Sequence, residues 1–316
     1  MSIEKLSAVW PDWKVIEQIG EGSFGKVYKV MREEYGVIDY AAVKVISIPK
    51  SDSEISSLRA DGYDEESSRS YFKSIVTDFI NEIKIMVSMK GAANIVGVED
   101  YKVIENADEI EWDIFIRMEL LIPFNNYTAG KRLNQSEIIK LGQDICSALE
   151  LCAKKNIIHR DIKPENIFVS AFGEFKVGDF GIARELEKTG VAMSSKGTYN
   201  YMAPEITAAK NYDATVDTYS LGLVLYKLLN NNCLPFINLN AGQVLYQDRK
   251  NAIDRRFQGE QIPVPAAASP QMTQVILKAC AFNPAMRFKT ASELKAARSE
   301  ERRVGKECRS RWSPYH

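Results

Sequence analysis

The residues with the densest chemistry lie between His159 and Gly181, in the run H-R-D-I-K-P-E-N-I-F-V-S-A-F-G-E-F-K-V-G-D-F-G. One acid stands in His159-Arg160-Asp161 and another in Asp179-Phe180-Gly181. Lys163 follows two residues after the first acid and Asn166 five residues after it. Between these groups, Ile167-Phe168-Val169 and Phe175-Lys176-Val177 flank a turn from Ser170 to Gly173, so they read as the two short strands of a hairpin. A hairpin that small brings its ends together, which sets Asp161, Lys163 and Asn166 near Asp179 at one mouth. Two carboxylates, an amide oxygen and an ammonium suit a hard divalent cation such as Mg2+ and a phosphate carried with it. They do not suit zinc, which takes His and Cys.

A second cluster lies near the N-terminus, in Gly20-Glu21-Gly22-Ser23-Phe24-Gly25. Alone, G-x-G-x-x-G also fits a dinucleotide site, in which a helix follows and an acid comes about twenty residues later. Here Val27, Tyr28 and Val30 follow at strand-like spacing, and the residue at that distance is Lys44, in Ala41-Ala42-Val43-Lys44.

These motifs closely resemble the eukaryotic-type protein kinase family: H-R-D with Lys163 and Asn166 in register, D-F-G after it, and the glycine loop with Lys44 before it. Lys163-Pro164-Glu165-Asn166 resembles the serine/threonine members, and the style of the chain resembles bacterial ones. The resemblance covers residues 13–298 and implies an α+β, bilobal fold. That fold has an antiparallel β N-lobe with one helix and a mainly helical C-lobe, with ATP and Mg2+ (or Mn2+) bound between them.

The resemblance also implies roles. Asp161 accepts the proton of a Ser or Thr hydroxyl on a protein substrate, Lys163 steadies the moving phosphoryl group, and Asn166 and Asp179 hold the metal. Lys44 orients the phosphates and is itself held by Glu82, in Asn81-Glu82-Ile83. Ile19, Gly20, Glu21, Gly22, Ser23, Phe24, Gly25, Val27 and Ala42 line the nucleotide. Met118 stands at the back of its pocket, and the backbones of Glu119 and Leu121 meet the adenine. The segment Ile122-Pro123-Phe124-Asn125-Asn126 departs from the family's usual glycine-rich continuation. Residues 182–202 resemble the activation segment, ending at Ala203-Pro204-Glu205. Thr189, Ser194 and Ser195 are its candidates for self-phosphorylation, with Arg160 as the basic partner of a phosphate. Thr198 would position the substrate. Asp217 would brace the catalytic loop and Arg287 would pair with Glu205.

The domain reading is a lead-in over 1–12, an N-lobe over about 13–118, a hinge over 119–122, a C-lobe over 123–298 and a tail over 299–316. Trp10 and Trp13 are expected to pack against the domain edge. The tail is basic and aperiodic and resembles vector-derived sequence. Residues 50–74 read as a flexible surface insertion, with a regulatory or partner-binding segment as the alternative. A helix is expected from about Asp64 to Lys90, on the spacing of Phe72, Ile75, Val76, Phe79, Ile80, Ile83 and Val87. A strand pair is expected over Val98 to Leu121. Ser136 is the expected N-cap of a helix to about Lys155, and Thr290-Ala291-Ser292-Glu293 the capping box of a last helix.

Composition narrows the partners. Lys plus Arg number 41 against 42 for Asp plus Glu, which argues against nucleic-acid binding as the main activity. The 5 cysteines show no C-x-x-C spacing and read as reduced thiols in a cytoplasmic protein. The longest apolar run, Leu221 to Leu229, contains Lys227 and is too short to span a bilayer; no signal peptide is visible. Two competing readings share the motifs: a silent pseudokinase acting as a scaffold or switch, and a kinase for small molecules. Lys44, Asp161, Asn166 and Asp179 together speak against the first, and Thr198 with Ala203-Pro204-Glu205 against the second.

Overall fold

The computed structural model describes residues 5–22, 25–180, 198–207, 212–237 and 244–297. Ser23, Phe24, most of the expected activation segment (with Thr189, Ser194 and Ser195) and the 299–316 tail lie outside the described residues. The chain divides into two compact units, the first running to Leu121 and the second beginning at Ile122. That boundary falls inside the expected hinge. No helix among the described residues is long and apolar enough to cross a membrane.

The first unit opens with a short helix, α1 (Leu6–Val9), and is built on an antiparallel sheet. Its strands are β1 (Lys14–Gly22), β2 (Gly25–Glu34), β3 (Val37–Ile48), β4 (Val98–Glu105) and β5 (Trp112–Glu119), in the order β1-β2-β3-β5-β4. A two-residue turn, Tyr35-Gly36, joins β2 to β3 with both φ angles positive, the backbone twist that suits a tight hairpin. One face of the sheet packs Val30, Ala41, Val43, Val45 and Phe115 against Leu6, Trp10 and Trp13. The two tryptophans are therefore core: the expected packing is found, inside the unit and not at its edge, and the lead-in belongs to this unit's core. Trp10 also donates from Nε1 to Asp100 Oδ2 at 2.7 Å, and the Arg117 guanidinium lies over both indole rings at 5.0 and 4.8 Å. Beside them the Lys5 ammonium bonds the buried Asp113 at 2.6 Å.

Two helices follow β3: α2 (Asp52–Ala60) and α3 (Glu65–Ser88). The expectation of a flexible insertion is corrected here, since nine of its residues form α2. Asp52 and Glu54 in the first turn and Arg59 in the last complement the helix dipole. Ile55 and Leu58 are its half-buried apolar residues, and the helix lies against α3. The expected 64–90 helix is present as α3. Asp64 caps it by accepting from Ser67 N at 2.8 Å, and Phe72, Val76, Phe79, Ile83 and Met86 form its buried stripe.

The second unit holds a three-stranded sheet of β6 (Ile122–Pro123), β7 (Ile167–Val169) and β8 (Phe175–Val177), with helix α4 (Phe124–Tyr127) after β6. Its longer helices are α5 (Gln135–Lys154), α7 (Thr215–Leu229), α8 (Tyr246–Phe257) and α9 (Pro270–Ala279). A single turn, α6 (Pro204–Thr207), precedes α7, and α10 spans 291–297. The α5 cap is corrected. Asn134, not Ser136, accepts from Glu137 N at 3.0 Å, and Glu137 returns a bond to Asn134 N at 2.9 Å. This capping box starts the helix earlier because an amide at 134 and an acid at 137 serve two N–H groups at once. The apolar stripe Ile138, Leu141, Ile145, Ala148, Leu149 and Cys152 is buried as expected. Helix α7 is buried nearly all round, so it forms the centre of this unit. Thr290 caps α10 by accepting from Glu293 N at 3.1 Å, while the Glu293 carboxylate takes Lys289 N at 3.0 Å.

Candidate active site

The catalytic-loop candidates are positioned from α7. Asp217, 3% exposed, accepts the backbone N–H of His159 on Oδ2 and that of Arg160 on Oδ1, each at 2.8 Å. Arg160 takes a left-handed backbone, φ +67°, and Asp179 does too, at +51°. Such conformations cost a non-glycine residue energy and persist where surrounding structure over-determines them. At 160 the Asp217 bond is part of that constraint.

His159 is fully buried and ties the two acidic motifs together. Its Nδ1 accepts from Asp161 N at 3.3 Å, so Nε2 carries the proton and donates to Gly178 O at 3.2 Å. Its ring also packs 4.7 Å from that of Phe180. The β7–β8 hairpin has the expected register, with Ile167 opposite Val177 and Val169 opposite Phe175. At its mouth Gly178 N donates to Asn166 O at 3.0 Å. The residue before Asp179 is thus bonded to Asn166 and His159.

Around Asp161 the geometry is specific. Asn166 Nδ2 donates to Asp161 O and to Asp161 Oδ2, both at 2.9 Å. Lys163 Nζ reaches the same Oδ2 at 2.8 Å. These bonds fix the direction of the Asp161 carboxylate. With both protons on Asp161, the Asn166 amide offers its Oδ1 as an acceptor. The donor set of Asn166 and Asp179 is hard oxygen, and both ring nitrogens of His159 are engaged, so the residues fit Mg2+ and not a soft metal.

The first unit carries the remaining candidates on one face of its sheet. Val27 pairs with Lys44 and Lys44 with Ile116; Ala42 pairs with Met118. Side chains alternate along a strand, so Val27, Ala42, Lys44 and Met118 share the face opposite the tryptophans. Helix α3 covers part of that face: its Arg69 lies 5.8 Å over Trp112, which pairs with Ile48 on the Lys44 side of β3. Glu82, 8% exposed, belongs to the buried stripe of α3. Gly20 pairs with Val27, and Gly22 with Gly25 closes the described part of the glycine hairpin, with Ile19 and Glu21 on β1. At the expected hinge, Glu119 N donates to Gly97 O at 3.1 Å and Glu119 Oε1 accepts from Gly97 N at 2.6 Å. Leu121 follows at the end of the unit.

Compared with known families, residues 13–298 match the protein kinase domain. The chain belongs to the protein kinase family. It is 39% identical over 167 residues to "Serine/threonine-protein kinase PknB" of Mycolicibacterium smegmatis, across 50% of this chain and 25% of that protein. It is 40% identical over 164 residues to the PknB of Mycobacterium leprae, across 51% and 25%. It is 36% identical over 220 residues to "Serine/threonine-protein kinase TIO" of Arabidopsis thaliana, across 69% of this chain and 14% of that protein. The matched stretches are thus a quarter or less of these relatives' own length. Protein kinases use ATP with a divalent metal, generally Mg2+.

Two more features of this kinase domain follow from its second unit. Arg287, expected to pair with Glu205, does so through two bonds, at 2.6 and 2.9 Å, with the guanidinium fully buried. Lys227 was noted in sequence only as a charge interrupting an apolar run. Its Nζ donates to the Tyr201 hydroxyl at 3.2 Å, and burial holds its pKa below the usual lysine range. The His159 network was also missed, because no spacing rule says which backbone groups a buried imidazole will join.

Proposed function

We propose that this chain is an active serine/threonine protein kinase domain that transfers the γ-phosphoryl group of ATP to Ser or Thr hydroxyls of proteins. The observation that carries this reading is the fixed carboxylate of Asp161, held by Asn166 and Lys163 in a loop anchored on Asp217. A general base has to be oriented before it is useful. In this reading Asp161 orients the substrate hydroxyl and takes its proton as the oxygen bonds to the γ-phosphorus. The bond from that phosphorus to the bridging oxygen breaks and ADP leaves. Lys163, beside Asp161, neutralises charge on the moving group. Lys44 orients the phosphates and Glu82 holds Lys44. Asn166 and Asp179 hold Mg2+, which when bound neutralises charge on the phosphates. The glycine hairpin, Ala42, Met118, Glu119 and Leu121 hold the nucleotide. Residues in 182–202 are proposed as acceptors of self-phosphorylation.

The test is transfer from labelled ATP with Mg2+, to the chain itself and to a generic basic protein, with Asp161→Asn alongside. Expected are label on Ser or Thr and a loss of roughly 10²–10⁴-fold in the variant, the usual contribution of a general base. Folded wild-type protein that binds ATP without transferring it would leave the scaffold reading standing instead.

A further inference from the structure

The second unit buries two guanidiniums close to Tyr219 and Cys280, and among the described residues only one of them has a counter-charge. Arg287 is matched by Glu205. Arg256, near the end of α8, is 3% exposed. Its Nη2 donates to Tyr199 O at 3.1 Å and its Nη1 reaches the Tyr219 hydroxyl at 3.4 Å. Both partners are neutral, and among the described residues no carboxylate forms an ion pair with Arg256. Glu260, four residues on, has both oxygens taken by the fork of Arg255. Neither Cys280 nor Tyr219 supplies a charge: burial pushes the Cys280 thiol up to about 12 and raises the Tyr219 hydroxyl above its usual value. A buried cation in this state is costly unless an anion joins it.

Arg256 lines a cavity of about 230 Å³, with Tyr219, Ile262, Leu277, Cys280, Ala281 and Phe282 among its other walls. The walls are mostly apolar, and Glu260 stands among them. That combination favours a single negative charge on an apolar body over a doubly charged phosphate. We propose that this cavity binds a small amphipathic carboxylic acid, its carboxylate on Arg256 and its apolar part against Ile262, Leu277 and Phe282. Arg256 also holds the backbone of Tyr199, so occupancy is read out at the 198–200 turn. The site does not depend on phosphoryl transfer.

Phenylacetate and phenylacetamide, equal in shape and different in charge, are the probes. Each is titrated into the full chain, following the backbone amide signals of Tyr199 and Arg256 by NMR. Phenylacetate is expected to bind at least tenfold more tightly than the amide, and Arg256→Gln to bring the two to parity. Ala281→Leu, at a further wall residue, fills the cavity and leaves the guanidinium in place, and is expected to weaken both at least tenfold. It decides the matter if Arg256→Gln does not fold. Equal binding of acid and amide by wild type would overturn the proposal. So would unchanged phenylacetate binding by folded Ala281→Leu, or inorganic phosphate binding as tightly as phenylacetate.

Discussion

Asp217 receives the consecutive backbone N–H groups of His159 and Arg160, one on each carboxylate oxygen, both at 2.8 Å. Both oxygens must be acceptors for this to hold, so the brace requires the ionised acid. Burial opposes ionisation and raises the Asp217 pKa to about 6, although the two backbone donors pull it back down.

The pH dependence follows from that conflict. The folded pKa lies above the free value of 3.8, so the folded state binds this proton more tightly than the unfolded state. The resulting stabilisation is full below about pH 3.8 and is lost as pH rises through about 6. Activity moves the other way. As pH falls through about 6, one N–H of the catalytic loop loses its acceptor, a loss of about 1–3 kcal/mol or roughly 5- to 150-fold. We expect kcat to fall below pH 6 with no parallel loss in melting temperature. Asp217→Asn, whose NH2 opposes one backbone N–H, should show a low kcat without that inflection. A wild-type kcat profile that is flat from pH 7 to 5 would rule out this role.

Asn166 gives a second prediction, because its amide serves Asp161 and, in the proposed function, the metal. Asn166→Ala removes both bonds to Asp161. The bond to the carboxylate is worth about 1.5–3 kcal/mol and the bond to the backbone carbonyl about 0.5–1.5 kcal/mol, so kcat should fall by roughly 10²-fold. Activity should also need a higher Mg2+ concentration for half-saturation. A drop in kcat with an unchanged Mg2+ dependence would leave Asn166 a positioning residue only.

The Arg287–Glu205 pair predicts stability rather than rate. Arg287→Met leaves the Glu205 side chain, 10% exposed, without its partner and should cost about 3–5 kcal/mol in urea unfolding. Combining it with Glu205→Gln should recover part of that loss, since the stranded charge is then gone. A double variant no more stable than Arg287→Met alone would show that the charge pairing is not what holds α6 in place.

Much of this site was legible because its chemistry is local in sequence. Asp161, Lys163 and Asn166 lie within six residues, and the hairpin that follows fixes where Asp179 must come. The Asp217 brace spans 58 residues and was legible only through the family resemblance. What was not legible depended on competition between neighbours. Asn134 outbids Ser136 as a cap only because Glu137 completes a reciprocal pair. Helix α2 forms from a serine-rich stretch because two half-buried apolar residues meet α3, a weak signal at that length. The uncompensated Arg256 depends on which acids the other arginines capture, and no spacing rule contains that.

The tryptophan-bearing lead-in should matter to the first unit alone. Trp10 is 7% exposed, stacks edge-on to Phe115 at 6.5 Å and bonds Asp100. Trp10→Ala should cost about 3–5 kcal/mol, the usual range for a large buried aromatic. Trp10→Phe should recover most of the packing and lose only the bond to Asp100. Hydrogen exchange should quicken in β3 and β5 and stay unchanged in α7. Uniform quickening across both units would contradict the assignment of Trp10 to one core.

Gly25 and Gly36 separate two ways in which a glycine is required. At Gly36, φ is +79° and a Cβ would meet nothing within 4 Å, so Gly36→Ala carries only the backbone strain, about 1–2 kcal/mol. At Gly25 a Cβ would stand 2.1 Å from Val45 O, a backbone atom of β3. That contact cannot be relieved by a side-chain rotation; β2 must move off β3 where Val27 pairs with Lys44. Gly25→Ala should therefore weaken ATP binding at least tenfold while the circular dichroism of the chain is kept. Gly36→Ala should leave ATP binding within twofold of wild type. Equal effects of the two substitutions would mean that strain, and not the close approach of the two strands, is what the glycine at 25 relieves.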